Sequence, residues 1–511
     1  MLRITRRQLV SGLGGGALAL RIDKSDAKVA RQPVDLLSLA WGDSGIPNPF
    51  QVSPAGPGGP ILVSLIYDTL TWKDETGIIP WLASDWSVSS DGQTYSFRIE
   101  AGVAWQDGAP LTADDGAFSY AYYASHPYIW MGTDVVESAA AVGDSVEIRL
   151  NQPYAPFLED IAGIVPIVPK HVWASVDDPI AYTGSGQTMG SGPFVLAVYN
   201  QTEGAYRLTA NEAYWRGAPS VSEIHQLTVP PEALIEATRQ GEIDLASSSD
   251  ASVRDILAND DRLAIHESAP LSIVRLAVNT SQTPLDRKEV RQALAYALDR
   301  ELIAESITRG PAIVGSAGVV PPETPWFNPD LKRYDHDPDR ARELLGGERF
   351  TINLVADARA RDPDLMVPML EAVGITLNVQ RVDSATRIQL LRDGDFQLGF
   401  LTHIGVGGDP DYLRRWYSGD ETNAYAQGSN FDDEEYTRLG AAQATTLDEN
   451  ERRDLIFRMQ EILAEELPSI VLYHRRFYWI HDPSVFTPMK TWGGLMNGIP
   501  FPHNKLALIA T

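Results

Sequence analysis

The chain has 511 residues, a formal net charge of −26 and no cysteine. Its length suggests three or four units of about 150 residues, and 44% hydrophobic with 22% charged residues is a globular composition that excludes wholesale disorder. The acidic excess disfavours nucleic acid and anionic membranes as partners, because phosphate is neutralised by Lys and Arg, and the missing thiols exclude disulfides, iron–sulfur clusters, thiolate zinc sites and cysteine nucleophiles.

Taken in chain order, the first thirty residues read as an address. A basic start with Arg6-Arg7 precedes an apolar, glycine-rich stretch from Leu9 to Leu20, shorter than the roughly 20 residues of a membrane helix. The order Thr5-Arg6-Arg7-Gln8-Leu9-Val10 resembles a twin-arginine signal, which exports folded proteins. Residues 1–30 are therefore expected to be a signal peptide, cleaved after Ala19 or Ala30. No cysteine follows the apolar stretch to take a lipid anchor, and no later stretch has the length and apolarity of a membrane helix. The mature chain is expected to be soluble and extracytoplasmic, in the periplasm or at the cell surface. Only eight of the 42 basic residues are lysine; an acidic, arginine-rich surface suits a high-salt habitat, and a GC-rich genome gives the same bias.

Beyond residue 30, strand-like and helix-like segments alternate without repeats or low-complexity linkers, which predicts a mixed α/β architecture. Strands are predicted at 94–100, 145–150, 193–200, 206–210, 273–279, 350–356, 375–382 and 396–403, many alternating apolar and polar residues. In WQDGAPLTADD, Asp107-Gly108 supplies a turn and Thr112, with Asp115 three positions on, caps the next helix. In DRKEVRQALAYALDRELIAESI, Asp286 and Glu289 read as a capping box, and Val290, Leu294, Ala297, Leu298 and Ile303 form one face of a single helix. Asp337-Pro338 starts another helix and Gly346-Gly347 ends it. The acidic run Asp432-Asp433-Glu434-Glu435 reads as a solvated first turn. Asp448 and Glu451 introduce a last helix, with Leu455, Ile456, Met459, Ile462 and Leu463 on one side, stopped by Pro468.

No G-x-S-x-G, H-E-x-x-H or G-x-x-x-x-G-K-[ST] spacing occurs, which argues against an enzyme. The nine histidines are scattered, so neither a metal site nor a cofactor is expected. The aromatic supply is larger: 12 Trp and 19 Tyr. Such rings give stiff contact area suited to pockets for peptides or sugars, although most are expected in the core.

Several blocks, in order, resemble the extracytoplasmic solute-binding protein family 5 of ABC transporters, the dipeptide- and oligopeptide-binding type. A long block at 66–120 opens IYDTLTWKDETG and ends PLTADDGAFSY; then come GSGPFVLAVYN at 190–200, NEAYWRGAPSVSEI at 211–224 and GEIDLA at 241–246. LAVNTSQTPLDRKEVRQALAYALDRELI at 276–303, GGDPDYLRRWYSG at 407–419 and ERRDLIFRMQEILAEELPSIVLY at 451–473 complete the set. The resemblance implies an α/β, two-lobed periplasmic-binding-protein-like fold of the large type, with an extra subdomain and two hinge segments joining the lobes. Lobe I would comprise 31–271 plus 473–511, with an inserted subdomain at about 61–184, and lobe II would comprise 272–472. The implied function is non-catalytic: a monomer closes on a short peptide or peptide-like solute, a population shift driven by the ligand, and delivers it to the membrane permease of an ABC importer. An oligosaccharide is the alternative cargo. A ligand-sensing subunit for a membrane receptor is a further alternative, and a secreted hydrolase with Asp409 and Asp411 as paired carboxylates is a remote one.

The sequence departs from that family at its ligand anchors. Peptide binders of the family hold the ligand's amino terminus with an aspartate three residues ahead of an Asp-Pro pair, and here Asp409-Pro410 puts Val406 there. A Trp common three residues further back is His403. Arg359 falls where dipeptide binders carry an arginine for the ligand carboxylate, a pairing that guanidinium geometry makes bidentate. The resemblance also places Trp41, Asp43 and Ser44, then Tyr128 and Trp130, and His403, Ile404, Val406 and Asp409 near the ligand, with Trp416 and Trp492 as further candidates.

Overall fold

The computed structural model describes residues 34–53, 58–74, 76–270, 272–310, 313–418, 429–485 and 504–509, with the short strand Leu2–Arg3. These form two compact units. One holds the described residues up to Ala246 together with 481–485 and 504–509; the other is Ser247–Ile480.

The first unit contains an antiparallel sheet in which TYSFRI, at Thr94–Ile99, alternates as its sequence requires, with Tyr95, Phe97 and Ile99 inward. Its partner Ser145–Leu150 turns Val146, Ile148 and Leu150 to the same side, so Phe97 faces Val146 and Tyr95 faces Ile148 across the pair. Helix Ala113–Tyr123 packs close to this sheet because position 116 is glycine: a Cβ there would lie 2.5 Å from Val146 Cγ2. Thr112 and Asp115 form the expected capping box, the Thr112 N–H donating to Asp115 Oδ2 at 2.9 Å. In a second sheet Val34–Ala40 runs parallel to Val221–Leu227, which is followed outward by Ala205–Ala210 and Phe194–Asn200 in antiparallel pairing. On the other side of Val34–Ala40, Leu245 pairs with Leu39 in parallel.

The first unit also buries an ion pair. Lys505, on the short helix Lys505–Leu508, and Asp68 are both fully buried, 2.8 Å apart. Trp81 Nε1 (2.6 Å), Tyr214 hydroxyl (3.0 Å), Ser191 hydroxyl (3.0 Å) and Trp215 Nε1 (3.2 Å) also donate to Asp68. The Lys505 ammonium lies 4.2 Å from the centre of the Trp72 ring. Burial alone would raise the Asp68 pKa; the charge of Lys505 and the surrounding donors outweigh it and hold the carboxyl below its ordinary value.

The second unit is built on a mixed sheet in the order Ile313–Val314, Ser469–Arg475, Ser272–Val278, Leu398–Ile404, Phe350–Asp357, Ile375–Val382. Phe350–Asp357 is parallel to both neighbours, and Ser272–Val278 is antiparallel to both of its own. SIVRLAV is buried along its whole length, as its near-continuous apolar run predicts, and Arg275 is the exception in kind. One face is covered by helices that share a core of Leu276, Leu294, Ile303, Leu354 and Leu370. Each such fully buried side chain stabilises the fold by about 1.5–3 kcal/mol.

The single helix predicted over DRKEVRQALAYALDRELIAESI is two helices, Lys288–Ala297 and Arg300–Thr308, separated at Leu298 (φ −87°, ψ 118°). Asp286 does not cap the first; its carboxylate accepts from the Thr283 hydroxyl at 3.0 Å. Asp299 interrupts the run by capping the second helix, accepting from Leu302 N–H at 3.0 Å. Both halves contribute to one core, Val290, Leu294 and Ala297 from the first and Ile303 from the second, which is why the periodicity does not betray the break. The other caps follow the sequence. Asp337 accepts from Arg340 N–H (2.8 Å) at the start of Pro338–Leu345, and Gly346 (φ 59°) ends it. Asp433 caps Glu434–Thr445, and Asp448 accepts from Asn450 and Glu451 N–H, both at 3.0 Å, at the start of Glu449–Glu466.

Candidate functional site

In the first unit the strand Val34–Ala40 delivers its chain at its carboxyl end into Trp41, Asp43 and Ser44. The Trp41 N–H still donates to Leu227 O at 2.9 Å, which continues the ladder for one residue. Its half-buried indole requires glycine at 58, where a Cβ would sit 2.3 Å from Nε1. Ser44 is buried and held by its backbone: its N–H donates to the Tyr206 hydroxyl (2.8 Å), and its carbonyl accepts from Ser53 N–H (2.8 Å). Asp43 is exposed. Its Oδ1 accepts from Gly45 N–H (3.0 Å), the Tyr199 hydroxyl (2.9 Å) and the Tyr206 hydroxyl (2.7 Å). Partial burial pushes the carboxyl pKa up, but these hydrogen bonds, Tyr206 foremost, outweigh it and lower it.

Tyr128 and Trp130 lie elsewhere in that unit, in a tight loop closed by a bridge between Tyr128 and Met131. Tyr128 is 2% exposed, and burial raises its phenol pKa. The Tyr128 hydroxyl and the Trp130 indole N–H are buried with no hydrogen-bond partner among the described residues.

In the second unit His403 and Ile404 end the strand Leu398–Ile404, both half-buried. Gly405, in the left-handed region at φ 89°, turns the chain, and Val406 is buried in an apolar cluster with Ile273, Tyr412 and Trp416. The His403 ring lies 4.4 Å from the Trp416 ring, and the Arg275 guanidinium 5.0 Å from that same ring centre. Arg275 Nη2 is 3.1 Å from His403 Nε2, and its Nη1 donates to Ser469 Oγ at 2.8 Å. A guanidinium only donates, so Nε2 is the acceptor and the proton of the neutral imidazole sits on Nδ1. Burial first, then the positive charges of Arg275 and Arg387, hold His403 well below the ordinary imidazole range.

Arg359 follows the carboxyl end of Phe350–Asp357; it is exposed, and its side chain has no ion pair among the described residues. Asp409 is differently placed. Arg452 grips both of its oxygens at 2.6 Å, and Oδ1 also accepts from Asp411 N–H at 2.9 Å. Arg414 takes Asp411 with two bonds of 2.8 Å, and Gln443 adds one of 2.6 Å. Both carboxylates thus tie the Gly-Gly-Asp-Pro-Asp turn to neighbouring helices. Trp492 lies outside the described residues.

The structure brings His403, Val406 and Trp416 into one cluster and puts Trp41, Asp43 and Ser44 in one loop. His403, the Trp41–Ser44 loop and Arg359 share a feature: each lies at or just past the carboxyl end of a strand with a parallel partner, the usual place for ligands on open α/β sheets. The sequence reading missed Arg275, Tyr199 and Tyr206. Arg275 carried a signal, a lone charge inside an apolar run; the tyrosines carried none, because only strand pairing sets them beside Asp43. Among the described residues no group of three or more His, Cys, Asp or Glu could hold a metal ion.

Residues 77–425 match the model of the bacterial extracellular solute-binding proteins, family 5 (middle). The chain belongs to that family, whose members bind solutes for transport outside the cytoplasm. It is 27% identical over 459 residues to the dipeptide-binding protein of Escherichia coli K12, covering 81% of this chain and 83% of the relative. It is also 27% identical over 441 residues to heme-binding protein A of Haemophilus influenzae, covering 79% and 80%. The solved structure of the ABC transporter-associated periplasmic binding protein DppA of Helicobacter pylori, in complex with the peptide STSA, matches with a TM-score of 0.79 at 22% identity, over 92% of this chain and 99% of that one. The α/β periplasmic-binding-protein fold expected from the resemblance is therefore the fold of this chain. No helix among the described residues is long and apolar enough to cross a membrane.

Proposed function

We propose that this protein captures a short peptide or peptide-like solute and delivers it to the membrane permease of an ABC importer, as a monomer and without catalysis. The observation that carries the cargo is Arg359: an exposed guanidinium without an ion pair among the described residues, at a strand's carboxyl end, is suited to a solute carboxylate. The dipeptide-binding relative and the peptide-bound structure support that reading. Residues 1–30 act as a twin-arginine signal in this proposal, and 31–271 with 473–511 and 272–472 act as the two lobes. Absence of catalysis is supported by Asp409 and Asp411, the only carboxylate pair the sequence suggested, which are both engaged by arginine.

A thermal-shift screen of the mature protein against di- to pentapeptides, their amides and oligosaccharides, in low and high salt, tests the proposal. A peptide at 100 times its Kd adds about 2.7 kcal/mol to stability. Arg359→Ala is expected to weaken free-carboxylate peptides at least tenfold and to leave the amides unchanged. Absence of a shift with every peptide overturns the cargo. One observation favours oligosaccharide as a second reading: Val406 is 2% exposed within an apolar cluster, so that position offers an ammonium nothing. Shifts with oligosaccharides alone would establish it.

A further inference from the structure

We propose that Asp43 is the ammonium-binding residue of this protein and that it recognises a primary amine of the solute through its Oδ2. This rests on the peptide reading above and deepens it. Asp43 stands directly after the parallel strand Val34–Ala40, two residues past Trp41. Three groups converge on one of its oxygens: Gly45 N–H at 3.0 Å, the Tyr199 hydroxyl at 2.9 Å and, at 2.7 Å, the Tyr206 hydroxyl, whose one proton is shared with Gly45 O at 2.8 Å. None of these three bonds reaches the other oxygen and neither oxygen has an ion pair among the described residues, while the residue stays exposed.

A structural turn does not account for this. An aspartate that closes its own turn needs only the N–H two residues on, here Gly45. The two phenols come from other strands, Tyr199 from Phe194–Asn200 and Tyr206 from Ala205–Ala210, where they are directly paired in register with rings stacked at 4.7 Å and 8°. Tyr206 is itself pinned, its oxygen accepting from Ser44 N–H at 2.8 Å. These neutral donors fix the carboxylate's orientation and favour its ionised form without cancelling its charge. The oxygen outside these bonds also selects the cation. A guanidinium binds best across both oxygens, and one is occupied three times over; an ammonium, a compact point donor, needs only one. The carboxylates of the Gly-Gly-Asp-Pro-Asp turn offer no such oxygen, since Arg452 and Arg414 hold both atoms of each.

Isothermal titration of the mature protein with trialanine and N-acetyl-trialanine tests the assignment. The wild-type protein is expected to bind the free amine at least 30-fold more tightly than the acetylated form. Asp43→Asn, which retains an acceptor for Gly45 N–H, should bring the two within threefold and leave the acetylated peptide's affinity unchanged. A variant that keeps the 30-fold preference, or a wild type that binds both peptides equally, overturns the inference while the peptide reading stands. A wild type that binds neither overturns the peptide reading and the inference with it. Should Asp43→Asn fail to fold, Tyr199→Phe decides: release of the carboxylate should cut the preference at least threefold, and an unchanged preference overturns the proposal.

Discussion

Asp68 and Asp43 belong to the same unit and are each held by several hydrogen bonds, yet only Asp68 meets a cation. Asp68 is fully buried, and Lys505 neutralises it at 2.8 Å inside a cage of indole, phenol and hydroxyl donors. Asp43 is exposed and is held by neutral donors, among them the Gly45 N–H and two phenols. The difference follows from solvation. A carboxylate taken out of water persists as an ion only with a counter-charge and satisfied lone pairs, whereas one left at the surface keeps its charge with neutral support. Asp409 and Asp411 in the second unit repeat the Asp68 arrangement with Arg452 and Arg414. Carboxylates of the first kind hold the fold; one of the second kind retains a field that a solute can meet.

The largest effects should come from breaking the buried pairs. Asp68→Asn leaves the Lys505 ammonium buried without its counter-ion and is expected to cost about 3–5 kcal/mol, read as a lower urea midpoint at an unchanged slope. Asp68→Asn with Lys505→Met should recover part of that loss, because no charge then remains to be desolvated. Asp409→Asn should cost somewhat less, about 2–4 kcal/mol, because Arg452 keeps its bonds to Gln443 at 2.9–3.1 Å. A loss below about 1 kcal/mol in both variants would show that the buried pairs are not what holds these segments.

Burial sets the pH response as well. His474 is 1% exposed, its Nε2 accepts from Ser316 N–H at 3.2 Å, and burial followed by the charge of Arg300 lowers its pKa to about 3. His403 is lowered by burial and by Arg275 and Arg387. In the unfolded chain both take up protons near pH 6.5. Folded-state pKa values below that mean that the unfolded state binds more protons in between. Stability is therefore complete above about pH 6.5 and falls as the pH drops from there toward the folded values, by up to about 1.4 kcal/mol per pH unit for each histidine. Urea midpoints at pH 7.5 and 5.5 should differ accordingly, and His474→Gln should remove about half the difference. Equal midpoints would refute both neutral imidazoles.

The sequence was most legible where one segment determines its own state. TYSFRI shows its inward face by alternation, and Asp337, Asp433 and Asp448 mark helix starts because a cap needs only a side chain and the next few N–H groups. It was least legible where a role is set by residues far along the chain. Leu298 breaks a helix whose two halves serve one core, so the apolar stripe runs through the break unaltered. Val406 is the position the family resemblance singled out, and its apolar packing was not readable without Ile273 and Trp416 beside it. Lys505 could not be connected with Asp68 across more than four hundred residues, nor Asp43 with the tyrosines of two later strands.

The smallest effect is the one that separates the two kinds of carboxylate. If Asp43 served mainly to fasten its loop, Asp43→Asn would weaken three hydrogen bonds at once and reduce stability by an amount approaching the buried pairs. At an exposed site water replaces lost donors, and an amide oxygen still accepts from Gly45 N–H, so a loss under about 1 kcal/mol is expected. Differential scanning calorimetry of Asp43→Asn beside Asp68→Asn makes the comparison under one set of conditions. A loss of about 3 kcal/mol at Asp43 would make it a structural carboxylate like Asp68, whereas near-wild-type stability would leave its three converging donors to be explained by orientation of charge.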